Sequence, residues 1–211
     1  MELTWYGLSC FRLRGRAAAV VTDPYAPALG LKLAKLDADL ITISHHHPNH
    51  DFTGGVKSGR IIDGPGEYEV SGVSVLGVHS AHDDQQGDLL GYNTIYVIEL
   101  DEVRVCHLGD LGHRLDDRIL ESLDDIDVLL VPAGGGSALD ATRAAEVVRQ
   151  IEPRCVVPMH YALAGMKAEL EGVDRFLKEM GAAAPEVQGK LVIQAAGGDY
   201  ETRTVVLEPR V

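Results

Sequence analysis

Sheet packed on sheet with helices outside, an α/β or α+β sandwich, is the architecture this sequence of 211 residues predicts. Three observations carry that reading. The first half alternates short strand-like runs with glycine and proline turns. The second half changes to helix–strand alternation. Residues able to bind metal recur just beyond strand-like runs, so one edge of a sheet could gather them.

Residues 3–6, 10–13 and 17–22 form a meander of short strands, with Gly7 and Gly15 at the turns and Asp23-Pro24 closing it. Residues 29–35 read as a short helix, with Leu29, Leu33 and Leu36 on one face. Residues 38–43 are apolar and β-branched, a buried strand. Gly54-Gly55 and Gly64-Pro65-Gly66 punctuate the next runs, 70–78 reads as strand, and 79–88 as a polar loop. A hairpin is expected from 93–100 and 103–107 across Asp101-Glu102, followed by a turn at 108–113. Helix is then expected over 116–123, strand over 128–131, helix over 140–151 and strand over 155–157. The 140–151 segment carries apolar residues at 141, 144, 145 and 148, one buried stripe, with Asp140 as N-cap. A further helix carries Val173, Phe176, Leu177 and Met180 and stops at Gly181. Residues 191–195 and 203–207 read as a closing hairpin. There is no repeat, linker or low-complexity tract, so residues 1–211 are expected to form one domain.

With 45% hydrophobic and 24% charged residues, the chain can bury a sizeable core. Its 32 acidic and 19 basic residues give a net charge of -13. That argues against nucleic acid and against anionic membrane surfaces as partners, leaving a small molecule as the expected substrate. No basic region precedes an apolar run at the start, and no stretch approaches the roughly 20 apolar residues of a spanning helix. Cys10, Cys106 and Cys155 are odd in number, lack C-x-x-C spacing and lie in strand-like runs. They are expected to be buried free thiols in a reducing cytoplasm. No interface stripe declares itself, so a homo-oligomer is left open.

The chemistry concentrates in residues 44–51, Ser-His-His-His-Pro-Asn-His-Asp. Four imidazoles in six positions exceed what a core or a solvated loop needs, and imidazole is the commonest side-chain metal ligand. An expression tag could mimic such a cluster, but it would lie at a terminus. His45 and His47 alternate onto one side of an extended chain, His50 returns from the Pro48-Asn49 turn, and His46 points away. His79 and His82 share one later loop; Asp110 and His160 each follow a strand. An imidazole and carboxylate set suits one or two Zn ions, and also Fe or Mn. His107 reads evenly as an orienter of Asp110 or as packing, and His113 as a substrate group or a surface residue. Gly134-Gly135-Gly136-Ser137 reads as a loop, since no phosphate-binding lysine follows.

Together these stretches resemble the metallo-β-lactamase superfamily. The similarity is closest to its branch of small stand-alone hydrolases similar to ascorbate-6-phosphate lactonase. It runs through Trp5-Tyr6-Gly7-Leu8-Ser9-Cys10, Asp23-Pro24-Tyr25 and the motif region at 45–50. It continues through Ala81-His82-Asp83-Asp84, Asn93-Thr94-Ile95, His107-Leu108-Gly109-Asp110 and Pro158-Met159-His160-Tyr161. The resemblance implies a four-layer αββα sandwich with a two-metal site along one sheet edge. It implies His45, His47 and His82 on a first metal, His50 and His160 on a second, and a bridging, catalytic Asp110. Asn49 stands where the family motif has a ligating Asp; it offers only a neutral carbonyl, which predicts a weaker second site. The implied activity is metal-dependent hydrolysis, by a metal-bound hydroxide, of an ester, lactone or phosphoester. Asp51, Asp83 and Asp84 are candidates to fix the histidine tautomers. Iron-dependent redox chemistry and a non-catalytic metal-binding domain are the alternatives.

Overall fold

The computed structural model describes residues 1–27, 30–182, 185–195 and 200–211. Sixteen strands are present among them. They are β1 (Glu2–Trp5), β2 (Phe11–Arg14), β3 (Ala19–Thr22), β4 (Leu36–Asp37), β5 (Leu40–Thr42), β6 (Val56–Lys57), β7 (Arg60–Ile62) and β8 (Gly66–Val70). Then come β9 (Val73–Ala81), β10 (Tyr92–Leu100), β11 (Val103–His107), β12 (Val128–Pro132), β13 (Cys155–Met159), β14 (Glu186–Gln188), β15 (Leu191–Val192) and β16 (Arg203–Leu207). Three α-helices accompany them: α1 (Asp117–Leu120), α2 (Ala141–Ile151) and α3 (Asp174–Glu179).

One sheet has the order β15-β1-β2-β3-β5-β7, the other β14-β16-β13-β12-β11-β10-β9-β8, and β4-β6 is a small pair. The inner faces meet in a dry layer that includes Trp5, Phe11, Leu13, Val20, Tyr96, Ile98, Leu130 and Val157. Alternation along the strands produces that layer, since every second residue turns inward. The outer face of the longer sheet is covered by the helices. Ala141, Ala144, Ala145 and Val148 of α2 pack there with Val147 and with Phe176 of α3. Asp140 caps α2 as expected, its carboxylate accepting the Arg143 N–H at 2.9 Å. Left-handed Glu152 and then Pro153 end the helix. This is the mixed α/β sandwich expected. No helix of the described residues is long and apolar enough to cross a membrane.

The outer face of the six-stranded sheet is covered differently. Residues 30–35 form no helix, and Leu29 lies outside the described residues. Leu31, from irregular chain, and Leu36, from β4, reach the core with Tyr25, Val21 and Ile41. Gly30 is left-handed (φ +82°), and a Cβ there would sit 2.6 Å from the Gly165 carbonyl. Tertiary contact overrides the helical pattern. The strand expected over 70–78 is two strands, because Ser71 and Gly72 have positive φ and make the β8–β9 turn. β9 then runs on through His79, which pairs with Thr94, so residues 79–81 are strand and not loop. Cys10 precedes β2 instead of lying in it, though all three thiols are buried and free. The expected closing hairpin is absent. β15 joins β1 antiparallel in one sheet, and β16 joins β13 and β14 in the other. Pattern marks both segments as strands but carries no information on their partners.

Strand direction gathers the loops that matter. β11, β12 and β13 are parallel, and β9 and β11 are each antiparallel to β10. The C-terminal ends of β9, β11 and β13 therefore share one edge. In the facing sheet β3 and β5 are parallel. Three bonds tie the two sheets there. Thr94 N–H donates to the Ser44 carbonyl at 2.8 Å, His160 N–H to Leu8 at 3.1 Å, and the Tyr96 hydroxyl to Ile43 at 2.9 Å.

Candidate metal centre

Five strands end at this edge, and each delivers one part of a cluster. β3 leads to Asp23, β5 to Ser44 and the histidine run, β9 to His82, β11 to Asp110 and β13 to His160. Asp23, Gly109 and His160 have φ of 38°, 59° and 51°, so the chain reverses sharply as each strand finishes.

Three groups form, each with its ligand atoms within 4.8 Å of one another: His45, His47 and His50; His45, His82 and Asp110; His50, Asp110 and His160. Asp110 joins the last two. Its Oδ2 lies 3.2 Å from His50 Nε2 and 3.5 Å from the Nε2 atoms of both His82 and His160. Its Oδ1 and His160 Nδ1 are buried with no hydrogen-bond partner among the described residues. Orphaned polar atoms amid converging imidazoles fit a cation that would satisfy them. Asn49 is half-buried on the wall of the same cavity. All seven sequence-derived residues thus border one space.

The tautomers follow from the surrounding bonds. Asp23 is fully buried and only accepts: Oδ1 takes the Ser44 N–H at 2.8 Å, and Oδ2 takes the Ser44 hydroxyl at 2.6 Å and His50 Nδ1–H at 2.8 Å. Ser44 has given its one hydrogen to Asp23. Its oxygen therefore accepts from His45 Nδ1–H at 3.0 Å. His82 Nδ1–H donates to the Ser137 carbonyl at 3.1 Å. Each of these rings turns its Nε2 to the cluster, the atom a metal would take. His47, exposed, is the least constrained, with its Nδ1 only 3.4 Å from the Asn49 N–H.

In the metal-free site the electrostatics give His50 a second proton, on the Nε2 that faces Asp110. Burial opposes ionisation of Asp110, but His160, His50 and the bonds from His50 and His82 outweigh it, holding the carboxyl well below its usual range. Burial likewise opposes protonation of His50, yet Asp110 and Asp23 on either side push it up to about 10. His45 goes the other way, down to about 4, through burial and repulsion from His50. Asp110, His50 and His45, with ligand atoms within 4.8 Å of one another, thus hold opposite preferences, as functional clusters do.

Other candidates fall outside the cluster. His46 is exposed on the rim of the same cavity, 3.6 Å from Asp51 and outside the three ligand groups. His79 packs on the Tyr92 ring. His107 faces away from Asp110: its Nε2–H donates to Ser9 and its Nδ1 accepts the Gly109 N–H. His113 accepts the Ala81 N–H. The tautomer-fixing acceptors expected at Asp51, Asp83 and Asp84 are instead Asp23, Ser44 and Ser137. Asp83 binds four backbone N–H groups of its own loop, at Gln85, Gly87, Leu89 and Leu90. Those bonds, the Leu90 N–H foremost, lower its pKa to about 2. Asp84 pairs with Arg143 at 3.5 Å. Asp23 could have been sought in the Asp-Pro turn that follows a strand; residues 166–170, which wall the site, leave no sequence signal.

The cluster opens into a cavity of about 430 Å³, bordered also by Leu90 and by Gly136 and Ser137. That volume suits a small molecule. A cleft of about 910 Å³ on the other side of the 83–92 loop holds His79 and His113 but none of the clustered ligands.

Two stacked sheets with a His/Asp cluster at one edge define a metallo-β-lactamase-type protein. The model of the beta-lactamase superfamily domain matches residues 2–160, and the chain belongs to that superfamily. The UPF0173 metal-dependent hydrolase of Thermococcus onnurineus is 31% identical over 190 residues, 76% of this chain and 84% of the relative. That of Methanopyrus kandleri is 26% identical over 95% of this chain and all of its own. A crystal structure from Thermotoga maritima, of a proposed Zn-dependent hydrolase of the metallo-β-lactamase superfamily, superposes with a TM-score of 0.79. It is 34% identical and covers 98% of this chain and 99% of that one. Within the superfamily the chain is thus a metal-dependent hydrolase of the UPF0173 kind.

Proposed function

We propose that the chain hydrolyses an ester, lactone or phosphoester bond of a small molecule at a site for two metal ions, zinc being the best fit. The observation that carries this reading is Asp110: one carboxylate joins two ligand groups, with one oxygen against three imidazoles and the other orphaned in the interior. His45, His47 and His82 would hold one ion. His50, His160 and the side-chain carbonyl of Asn49 would hold the other, and Asp110 would bridge. Bound there, divalent metal supplies Lewis acidity and makes water a nucleophile near neutral pH.

The chain's own residues do the rest. Asp23, Ser44 and the Ser137 carbonyl each hold an imidazole proton at Nδ1 and so turn Nε2 toward the cluster. Asp110 stays anionic, placed to accept a hydrogen bond from the attacking water and orient it. Leu8, Leu90 and Leu170 give the cavity an apolar wall beside the cluster.

The test joins stoichiometry and turnover. Protein reconstituted with zinc should carry two equivalents per chain by elemental analysis and turn over members of a lactone, carboxylic ester and phosphodiester panel. Asp110→Asn should retain less than one equivalent and lose at least about 10³-fold in kcat/KM, several kcal/mol of transition-state stabilisation. Full turnover by chelator-stripped protein or by Asp110→Asn would overturn the reading.

A further inference from the structure

The wall of the cavity facing the cluster is built by residues 162–171. Its base is closed by Ala162 N–H donating to the Glu171 carbonyl at 2.9 Å, and Glu171 N–H in turn donates to Gly134 at 2.8 Å. The opposite end of the segment is pinned where Gly165 meets Gly30. Gly136 is left-handed, and a Cβ there would lie 3.1 Å from Leu170 Cδ2, so this wall rests on the loop that also receives His82 Nδ1–H. It is a placed surface.

Its chemistry is one-sided. Away from the cluster the cavity is lined by Leu8, Leu90, Met166, Ala168 and Leu170, and its one charged side chain there is Glu169. Among the described residues no arginine or lysine lines it. The remaining positions, 28–29, 183–184 and 196–199, contain none either. Lys167, the one basic residue of the segment, has its stem against Gly30. Arg143 is engaged with Asp84. Glu171 is paired with Arg175 at 2.9 Å, whereas Glu169 forms no ion pair with any described residue. The metals would manage charge at the scissile bond. A charge at the far end of the substrate would meet apolar side chains and one unpaired carboxylate. An anion there would forfeit hydration, meet no arginine or lysine in compensation and be repelled by Glu169.

Resting on the hydrolase reading, we propose that the substrate carries an uncharged or cationic group at the end remote from the scissile bond. Glu169 is the specificity determinant that rejects distal anions, terminal phosphates included. The small phosphorylated substrates that bind through a basic subsite are thereby excluded from this pocket.

Two series of equal length test the proposal on zinc-loaded protein. The first comprises nitrophenyl esters of 4-aminobutyrate, pentanoate and succinate, read as kcat/KM. The second comprises non-hydrolysable hydroxamates with the same three tails, read as Kd by calorimetry. In both, the cationic or neutral tail should exceed the anionic one by at least about tenfold at low ionic strength. Glu169→Gln should remove most of the cationic advantage, and Glu169→Lys should invert the order. Because Glu169 is exposed, the ratio should shrink in 1 M salt, a dependence that a purely structural loop residue would not confer. An anionic preference in the wild type, or an unchanged order in Glu169→Lys with an unchanged melting temperature, refutes the proposal. The two readings separate cleanly. Hydroxamates ranked as expected with no ester turned over would uphold the pocket and count against ester hydrolysis. Ester turnover with a flat or reversed charge order would uphold the hydrolase and sink the role of Glu169.

Discussion

Asp23→Asn exchanges one oxygen for an NH2 group, and every partner of that carboxylate is a donor. Placed at Oδ1, the new amide meets the Ser44 N–H; placed at Oδ2, it meets the Ser44 hydroxyl and His50 Nδ1–H. A fully buried charge-assisted bond from His50 is lost, worth about 1.5–3 kcal/mol, and an unsatisfied buried donor adds about 1–3 kcal/mol. The metal-free protein should lose about 3–5 kcal/mol, or roughly 6–20 °C in Tm for a domain of this size. The molecule has one escape. His50 can move its proton to Nε2 and accept from the amide at Nδ1, but that places hydrogen on the atom that faces the cluster. Relief of strain therefore costs metal binding, and affinity should fall about 10–100-fold. Zinc titration against a competing chelator measures it, with thermal melts of the metal-free proteins beside it. A variant within twofold of wild type in affinity and within about 2 °C in Tm would refute the claim that Asp23 sets the His50 tautomer.

Asn49→Asp adds a carboxylate to the same cavity wall, and the affinity for the second zinc equivalent should rise at least about tenfold, read from the second phase of the same titration. Gly109→Ala should cost about 3 kcal/mol or more in urea unfolding. The position is left-handed, and the new methyl would press on Asn93 Oδ1 and lie 2.6 Å from Ser44 Cβ. Asp83 supplies a pH dependence. Its folded pKa, about 2, lies below the unfolded value near 3.9, so its contribution is present above about pH 4 and lost as pH falls toward 2. The stability gap between wild type and Asp83→Asn should accordingly be constant from pH 7 to 5 and close between pH 4 and 2; a gap independent of pH would exclude that origin.

Much of the site was legible because metal ligands are chemically distinctive and were delivered by strand ends that alternation reveals. His45, His47, His50, Asp110 and His160 could be named from residue type and position, and His82, over His79, only from the family resemblance, whereas Asp23 is one acidic residue among many until the fold sets it under His50. His107 shows the converse. Its place at the end of the 103–107 strand and three residues before Asp110 left orienting and packing even, and the ring turns toward Ser9, a contact 98 residues away.

By itself the sequence determined the periodicities, the Asp140 cap, the Asp101-Glu102 turn and the set of ligand types, because each rests on contacts within a few residues. Only the tertiary structure decided that residues 30–35 form no helix, with Gly30 against Gly165, and that β15 and β16 part to different sheets. It also decided that Ser44 gives its one hydrogen to Asp23 and that Glu169 faces the metal cavity unpaired. Those outcomes depend on which distant surfaces meet. The pattern of a single chain records that a residue is apolar, charged or able to donate, but not which partner the fold will bring to it.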